Sequence, residues 1–407
     1  DATGAVTIGG NVAVTGLTLD ASNHGGTGAI GVTTGDTSSG VDITLGADAG
    51  ALTATGGAGV AGDITVSSLQ AIGAGVTAYE TVTIAANSTT ATSAAGAAYT
   101  SDVNVTSFAG SAASSAQYMD LGLSTALGTI GLSGDQVITV SVDSDIFDTV
   151  ATNTLPVITS SGASHVIALA DAATVGLDLS GVSNTIELEA AQTLAFELAD
   201  NADIVLSAVQ AAAVFNGVAA NQTLSIDMDG NSFTGTVQNV DTLNVTSATA
   251  ATLSVSVDAN SAGAVEGASI VLSGAGDVTV AGASVADSLN AAASTGDLNV
   301  TTSATLATVT TGSGDDTVIA FAGDHSAVTG TGDDTYSIGV DISADDVTVS
   351  GHEIVSLTGG TTMTVAQANA ILNNVTVDGT QTLTVSGTAN ADVFDITGAV
   401  EGANALT

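Results

Sequence analysis

The chain contains no Lys and no Arg, although 41 of its 407 residues are Asp or Glu. Its formal net charge is −41 at pH 7, and its four His are the only side chains that could become cationic. Because no basic side chain can neutralise phosphates, nucleic acid is excluded as a partner and anionic membranes are disfavoured. We expect salt or bound divalent cations to offset the repulsion between carboxylates, as in an extracellular medium rich in Ca²⁺.

Cys and Trp are also absent, and only 3% of the residues are aromatic. Disulfides therefore cannot hold the fold. The core must be built in thin layers from small aliphatic and β-branched side chains, as in a solenoid. Thr, Ser, Gly and Asp interrupt every apolar run well below about 18 residues, so no transmembrane segment is predicted. No amino-terminal signal peptide is visible.

The most regular stretch holds two nearly identical nonapeptides, TGSGDDTVI (Thr311–Ile319) and TGTGDDTYS (Thr329–Ser337), placed 18 residues apart. Each matches the pattern Gly-Gly-x-Gly-x-Asp-x-(large apolar)-x, with Thr in place of the first Gly. The segment between them, AFAGDHSAV (Ala320–Val328), is a degraded copy in which His325 replaces the second Asp. The region therefore consists of three consecutive nine-residue units.

Two such units form one coil of a parallel β-roll, so equivalent residues of the outer nonapeptides should stack about 4.7 Å apart. The glycines that should allow the tight turns through positive φ are Gly312, Gly314, Gly330 and Gly332. The carboxylates that should meet are those of Asp315, Asp316, Asp333 and Asp334. Unpaired carboxylates repel one another, and Ca²⁺ accepts flexible sets of carboxylate and carbonyl oxygens. These residues are the predicted calcium site; the alternative is that Gly-Asp-Asp-Thr is only a turn sequence.

A third copy of the nonapeptide, GTANADVFD (Gly387–Asp395), has Asp392 at the Asp position and supports the same metal site. On these motifs the chain resembles the RTX family of calcium-binding repeat proteins. Within that family it is most similar to the S-layer proteins of Gram-negative bacteria, which stretches such as Val240–Asn260 also resemble in style. The resemblance implies secretion by a dedicated exporter, folding triggered by Ca²⁺ and assembly into a surface lattice.

The remainder of the chain is typical of short strands closed by Gly or Asp turns, because apolar residues alternate with Thr, Ser or Asp. GDVTV (Gly276–Val280), GDLNV (Gly296–Val300) and GDDTV (Gly314–Val318) begin 20 and then 18 residues apart. We therefore predict an all-β fold, a parallel β-solenoid of the β-helix or β-roll type, with about 18–20 residues per coil. Composition divides it into a β-rich repeat region (1–155), a second β-rich region (156–239) and an RTX-like solenoid with the calcium-binding turns (240–407).

One or two short helices are expected within this β-rich chain. The stretch Ile186–Phe215 has more Leu, Ala and Glu than the rest, and it can be read as helix or as strands. We favour strands, with a short helix near Ala208–Val214. A second helix is predicted within Thr364–Asn374, where four apolar residues fall on one helical face.

No catalytic or cofactor-binding residue is predicted beyond the calcium site. The four His are His24, His165, His325 and His352, and none has a second His at metal-ligand spacing. His352-Glu353 begins like a zinc-protease helix, but Ser356 stands where the second His must be. His325 is expected to be a degenerate turn residue. Without a nucleophile elbow, Cys or Lys, an enzyme is not predicted.

These features predict a structural, self-assembling extracellular protein, an S-layer or surface-filament subunit whose folding and assembly depend on calcium. Its partners would be further copies of itself and cell-surface polysaccharide. The alternative is a binding module, either a calcium-dependent adhesin or an ice-binding solenoid with flat rows of Thr. That alternative needs regular Thr-x-Thr ladders on one face, and only local ones are visible, as in Thr81–Ile84 and Thr382–Val385.

Overall fold

A computed structural model describes residues 165–218, 222–258, 268–281, 286–379, 381–387 and 400–401. Before residue 165 it describes the strands, one 3₁₀-helix and residues 16–17 and 137. The chain forms two compact units, residues 1–202 and 203–407. In both units the paired strands run parallel. The predicted all-β, parallel β-solenoid is confirmed.

In the first unit the strands are grouped into parallel sheets, and a 3₁₀-helix covers Ser144–Phe147. The strands are β1 (Val6–Gly9), β2 (Thr18–Ala21), β3 (Ile30–Thr33), β4 (Val41–Leu45), β5 (Leu52–Thr55), β6 (Ala61–Ser68), β7 (Ala74–Thr77), β8 (Tyr79–Ala86), β9 (Asp102–Ser107), β10 (Gln117–Leu121), β11 (Thr129–Gly134), β12 (Ile138–Val142), β13 (Val157–Gly162), β14 (Val166–Leu169), β15 (Leu177–Leu179), β16 (Thr185–Leu188) and β17 (Ala195–Leu198). Their orders are β1-β3-β5-β7, β2-β4-β6-β8-β9-β11-β13, β10-β12-β14-β16 and β15-β17.

Up to β33 the second unit alternates between two sheets, as a solenoid coil does. Its strands are β18 (Ala202–Leu206), β19 (Gln210–Gly217), β20 (Gln222–Asp227), β21 (Phe233–Gln238), β22 (Val240–Thr246), β23 (Ala251–Asp258), β24 (Ser269–Gly274), β25 (Val278–Val280), β26 (Ser288–Ser294), β27 (Leu298–Thr301), β28 (Thr308–Thr310), β29 (Thr317–Ile319), β30 (His325–Val328), β31 (Thr335–Ile338), β32 (Val347–Ser350), β33 (Ile354–Leu357), β34 (Thr361–Thr364), β35 (Thr376–Asp378), β36 (Leu383–Ser386) and β37 (Val400–Glu401). Even-numbered strands β18 to β32 form one sheet, odd-numbered strands β19 to β37 form the other, and β34 pairs with β36.

The core of the second unit consists of stacked apolar columns from both sheets, as the composition predicts. The odd-numbered sheet stacks Val300, Val318, Tyr336, Val355 and Val377. The even-numbered sheet stacks Leu289, Val309, Ala327 and Val349. All of these side chains are buried, and each aliphatic one contributes roughly 1.5–3 kcal/mol when it is fully buried.

The helix predicted within Thr364–Asn374 is present as α1 (Val365–Ile371). Thr364 caps it: the Gln367 N–H donates to the Thr364 hydroxyl at 3.2 Å, and the Thr364 N–H donates to Gln367 Oε1 at 2.7 Å. This reciprocal arrangement satisfies two amides at the helix start. The side-chain amide of Gln367 also donates, through Nε2, to the backbone carbonyls of Ile342 and Asp345. These two hydrogen bonds connect the helix to the neighbouring coil.

The prediction of a helix near Ala208–Val214 is wrong, because β19 begins at Gln210 and the two residues before it are not helical. Gln210, Ala213 and Phe215 are buried and pair with β21, with an irregularity between Gln210 and Ala213. The Ala-rich sequence favours helix by only a few tenths of a kcal/mol per residue. The hydrogen bonds between the parallel strands β19 and β21 outweigh that preference. A β-bulge accommodates the one extra residue of β19 between Gln210 and Ala213.

The predicted divisions after residues 155 and 239 stay predictions.

In the described residues, no helix combines the length and the apolar character that a membrane crossing requires.

Candidate metal centre

The two intact nonapeptides lie on consecutive coils, in the turns that lead into β29 and β31. Val318 pairs with Tyr336, and an isolated bridge joins Ser313 to Thr331 between the turns. Val318 and Tyr336 point into the core and are fully buried, as expected. The predicted stacking of residues 18 apart is therefore confirmed.

Glycine is needed in these turns for two different reasons. Gly314 and Gly332 have φ of 145° and 151°, a region that other residues rarely adopt. Gly312 and Gly330 do not have positive φ, so the expectation was wrong for them. They are needed because coils approach closely: a Cβ on Gly330 would lie 1.6 Å from the carbonyl oxygen of Gly312.

A column of exposed aspartates follows the same turns over four coils. We call it the outer ladder, and it consists of Asp277, Asp297, Asp315 and Asp333. Each of the first three carboxylates accepts a hydrogen bond from the backbone N–H of the next aspartate, at 3.0, 2.8 and 3.0 Å in chain order. The ladder joins successive coils through charge-assisted bonds, which are stronger than bonds between neutral groups.

A second column lies one residue further along the chain, inside the fold. We call its two buried members, Asp316 and Asp334, the inner ladder; the exposed Glu353 continues their hydrogen bonds on the next coil. The Leu298 N–H donates to Asp316 Oδ1 at 2.8 Å, and the Asp316 N–H donates to Asp334 Oδ1 at 2.9 Å. The Asp334 N–H donates to Glu353 Oε2 at 3.1 Å. The inner carboxylates thus bond backward along the chain, whereas the outer ones bond forward.

The expectation of four unpaired carboxylates is therefore wrong, because backbone amides engage three of them. Asp315, Asp316 and Asp334 each accept at one oxygen from the amide of an adjacent coil. The second oxygens of Asp316 and Asp334 are buried, and among the described residues no donor meets them with the distance and angle of a hydrogen bond. The Thr311 and Thr329 hydroxyls still favour the charged form of Asp316 and Asp334 respectively, but less than burial disfavours it. These two side chains are 1% and 0% exposed.

Burial makes the charged form of the inner ladder costly. Desolvation raises the pKa of Asp316 above its ordinary value, against weaker opposing effects of the Thr311 hydroxyl and the Leu298 N–H. Desolvation likewise raises the pKa of Asp334, and the negative charge of Asp316 adds to the increase although the Asp316 N–H opposes it. No Lys or Arg exists in the chain to compensate either carboxylate.

The donor chemistry of these turns fits a hard cation. Asp316 and Asp334 provide buried carboxylate oxygens without partners, and backbone carbonyls crowd the same coils, since a Cβ on Gly332 would lie 2.0 Å from the Gly314 oxygen. In the part of the chain that the structure describes, no group of three or more acidic or His side chains converges on one point. A bound ion would therefore need the carbonyls as well, a mixed oxygen set of the kind Ca²⁺ accepts. Asp392 lies outside the described residues.

His325 is a core residue and not a degenerate turn residue. It begins β30, is 4% exposed, and its Nδ1 lies 2.7 Å from the Gly323 carbonyl oxygen. A carbonyl can only accept, so Nδ1 carries the hydrogen and Nε2 accepts from the Tyr336 hydroxyl at 2.5 Å. Tyr336 stands where Val318 stands one coil earlier, and a buried Tyr needs such a partner. Burial raises the pKa of Tyr336.

Sequence reasoning missed Asp277 and Asp297 of the outer ladder, and it missed Glu353, which accepts from the amide of Asp334. A signal for the two aspartates was present, since both follow a Gly in the repeated pieces GDVTV and GDLNV. Glu353 lies in SGHEIV and carries no such repeat, so its contact with the inner ladder could be found only from the structure.

Comparison of the chain with protein-family models, with curated proteins and with solved structures found no match. What supports a function for this chain is therefore its own motifs, charge and geometry.

Proposed function

We propose that this protein is a structural, self-assembling extracellular subunit of a bacterial surface layer or surface filament, whose folding and assembly depend on calcium. The observation that carries the proposal is the inner ladder. Its buried carboxylates each keep one oxygen without a partner, in a chain that has no Lys or Arg. Burying an uncompensated carboxylate is costly, and a divalent cation is the kind of charge that can offset it.

Calcium would act on the folding equilibrium. In its absence, 41 acidic side chains repel one another and the ionised inner ladder opposes folding. An ion that binds only the folded chain stabilises it by about 2.7 kcal/mol when its free concentration is 100 times Kd. The chain would stay loosely folded where Ca²⁺ is scarce and become compact after export into a calcium-rich medium.

The fold supports a structural role. A parallel solenoid is a rigid stack of coils, and the strand edges at its ends are templates for pairing with further copies. Exposed carboxylates of the outer ladder would also be available to Ca²⁺ ions that bridge copies. The nonapeptides resemble those of RTX and S-layer proteins, which supports the same conclusion, and cell-surface polysaccharide is the partner we propose for attachment.

The test compares two double variants that change net charge equally. Asp316→Asn/Asp334→Asn neutralises the inner ladder, and Asp229→Asn/Asp287→Asn neutralises two exposed aspartates outside both ladders. We expect titration calorimetry to show Ca²⁺ binding at least about tenfold weaker in the first variant. Its thermal midpoint should also lose most of the rise that Ca²⁺ produces in the wild-type protein.

The control variant should bind Ca²⁺ and gain thermal stability almost as the wild-type protein does. An equal calcium-dependent rise in all three proteins would show that the ions bind elsewhere. No calcium response in the wild-type protein would contradict the proposal itself.

A further inference from the structure

Both intact nonapeptides have a Thr at their first position, where the repeat pattern has Gly. Thr311 lies five residues before Asp316, and Thr329 lies five residues before Asp334. The pairing of β28 with β30 places the two threonines on adjacent coils. Each inner-ladder aspartate is therefore accompanied by a side-chain hydroxyl that the repeat pattern itself does not provide.

The two threonines are buried in the fold. Thr311 is 2% exposed and Thr329 is 3% exposed. In the same nonapeptides Thr317 and Thr335, which directly follow the buried aspartates, are only partly buried. Buried hydroxyls normally have hydrogen-bond partners, so the contacts of Thr311 and Thr329 indicate what these side chains do.

Each of the two hydroxyls contacts the backbone of a neighbouring coil and still has a lone pair to offer. Thr311 Oγ1 accepts from the Gly330 N–H at 3.2 Å. The Thr329 hydroxyl donates to the Ser350 carbonyl oxygen at 3.3 Å, although the Thr329 N–H already donates to that oxygen at 2.9 Å. A hydroxyl has one hydrogen and two lone pairs. These bonds use one lone pair of Thr311 and none of Thr329, so both oxygens can still bind a cation.

The same hydroxyls lie within electrostatic reach of the inner ladder. The Thr311 hydroxyl favours the charged form of Asp316, and the Thr329 hydroxyl favours that of Asp334. Neither hydroxyl meets the second carboxylate oxygen with the geometry of a hydrogen bond, and that oxygen is buried. Each nonapeptide thus brings a buried carboxylate oxygen and a buried hydroxyl oxygen to the same turn.

Two carboxylates alone are too few ligands for Ca²⁺, which takes about six to eight oxygens. In the described part of the chain, no third acidic or His side chain joins Asp316 and Asp334 as a potential ligand. We propose that the hydroxyl oxygens of Thr311 and Thr329 are further calcium ligands at the inner ladder, an inference that rests on the proposed calcium dependence and adds two side chains to its site.

A neutral ligand suits this site better than a third acid. Each buried carboxylate makes the ion-free fold more costly, because the chain has no Lys or Arg to offset its charge. A hydroxyl adds an oxygen for the ion without adding charge, and it can turn its hydrogen toward the carboxylate when the ion is absent. Thr at the first position therefore serves both the ion-bound and the ion-free fold.

The first test compares two buried threonines whose hydroxyls both donate to backbone carbonyls. Thr329→Val keeps the side-chain shape and leaves the Ser350 carbonyl bonded to the main-chain N–H of residue 329. Thr361→Val is the matched control, since Thr361 is 1% exposed and donates to the carbonyls of Ile338 and Gly359, each at 3.3 Å. We expect titration calorimetry to show Ca²⁺ binding at least about tenfold weaker in Thr329→Val. The control, and Thr329→Ser with its retained hydroxyl, should bind as the wild-type protein does.

A second pair repeats the comparison for a hydroxyl that accepts from an amide. Thr302 is 1% exposed and accepts from the Phe321 N–H at 3.1 Å, much as Thr311 accepts from the Gly330 N–H. Thr311→Val and Thr302→Val should therefore lose similar thermal stability. Only Thr311→Val should also bind Ca²⁺ more weakly, by a factor similar to that of Thr329→Val. Circular dichroism melting in Ca²⁺ verifies that the variants are folded.

Luminescence of Tb³⁺ in place of Ca²⁺ distinguishes a ligand from a residue that only stabilises the coils. The chain has no Trp, and the buried Tyr336, two residues after Asp334, is the sensitiser at this site. Tyr336→Phe identifies the part of the emission that originates there. Water replaces a lost hydroxyl ligand, so the emission decay should differ more between H₂O and D₂O in Thr329→Val and Thr311→Val. The two control variants should match the wild-type protein.

Three results would overturn the inference while the inner ladder remains the calcium site. The first is wild-type Ca²⁺ affinity in Thr329→Val and Thr311→Val when Asp316→Asn/Asp334→Asn binds weakly. The second is an equal loss of affinity in the matched controls. The third is weaker Ca²⁺ binding without additional water around Tb³⁺, which would mean that the threonines position the carboxylates and are not ligands. A wild-type protein that binds no Ca²⁺, or an Asp316→Asn/Asp334→Asn variant that binds it normally, would overturn the proposed calcium site together with the inference.

Discussion

At the scale of single residues, the proposed calcium site depends on Asp316 and Asp334. Their stacking was predictable, because the two nonapeptides repeat at a spacing of 18. Their amide partners were not, because nothing in the sequence indicates that the Leu298 N–H lies within reach of the Asp316 carboxylate. The core position of His325 was also unpredictable, since its partner Tyr336 comes from the next coil.

Stability in the presence of a chelator should rise as the pH falls. Burial raises the pKa of Asp316 and Asp334 in the folded chain, so the folded chain binds protons more tightly than the unfolded one. Their contribution to stability is complete below the unfolded pKa of about 3.9 and is lost as the pH rises through the folded pKa. Thermal midpoints measured from pH 7 to pH 4 in a calcium chelator should therefore increase.

The Asp316→Asn/Asp334→Asn variant separates this effect from the general loss of repulsion on acidification. It keeps every other carboxylate, so it should show a smaller increase than the wild-type protein and a higher midpoint at pH 7 without Ca²⁺. If the wild-type protein and the variant had parallel pH profiles, the inner ladder would not be the source.

At the scale of elements, strands and turns were predictable where the local pattern agreed with the coil. GDVTV, GDLNV and GDDTV lead into β25, β27 and β29, which pair in the expected register. The Ala-rich segment of β19 was misread, because its local propensity for helix conflicts with the requirement that each coil add a strand to the sheet. Helix α1 was predictable from its apolar face alone, and the structure adds the reciprocal cap between Thr364 and Gln367.

The turn glycines give a prediction at this scale. Gly330→Ala should destabilise the protein by about 1–3 kcal/mol, because the new methyl group would overlap the Gly312 carbonyl and force the coils apart. Gly360→Ala is the control, since a Cβ there has nothing within 4 Å and φ is not positive. Urea unfolding at one fixed Ca²⁺ concentration measures both variants. Equal stability of the two would mean that the close approach of the coils contributes nothing.

At the scale of the whole molecule, composition predicted the solenoid, its thin aliphatic core and its lack of internal cation partners. A column of Ser and Thr side chains in register along the even-numbered sheet was hidden, because its members follow one another at spacings that vary from 18 residues (Thr308 to Ser326) to 27 (Thr242 to Ser269). Such a column becomes visible only when the strands are in register. The sequence therefore contains the regular face that a search for a constant period misses.

The most direct test of the central claim is negative-stain electron microscopy of the purified protein in Ca²⁺ and again after chelation, with circular dichroism on the same samples. We expect β-structure and ordered sheets or filaments in Ca²⁺, and their dissolution when the ion is removed, because the buried carboxylates then lose the divalent cation that offsets their charge. A chain that folds in Ca²⁺ but stays monomeric would contradict the structural role and favour a binding module. A chain whose fold and images do not change between the two conditions would contradict the role of calcium.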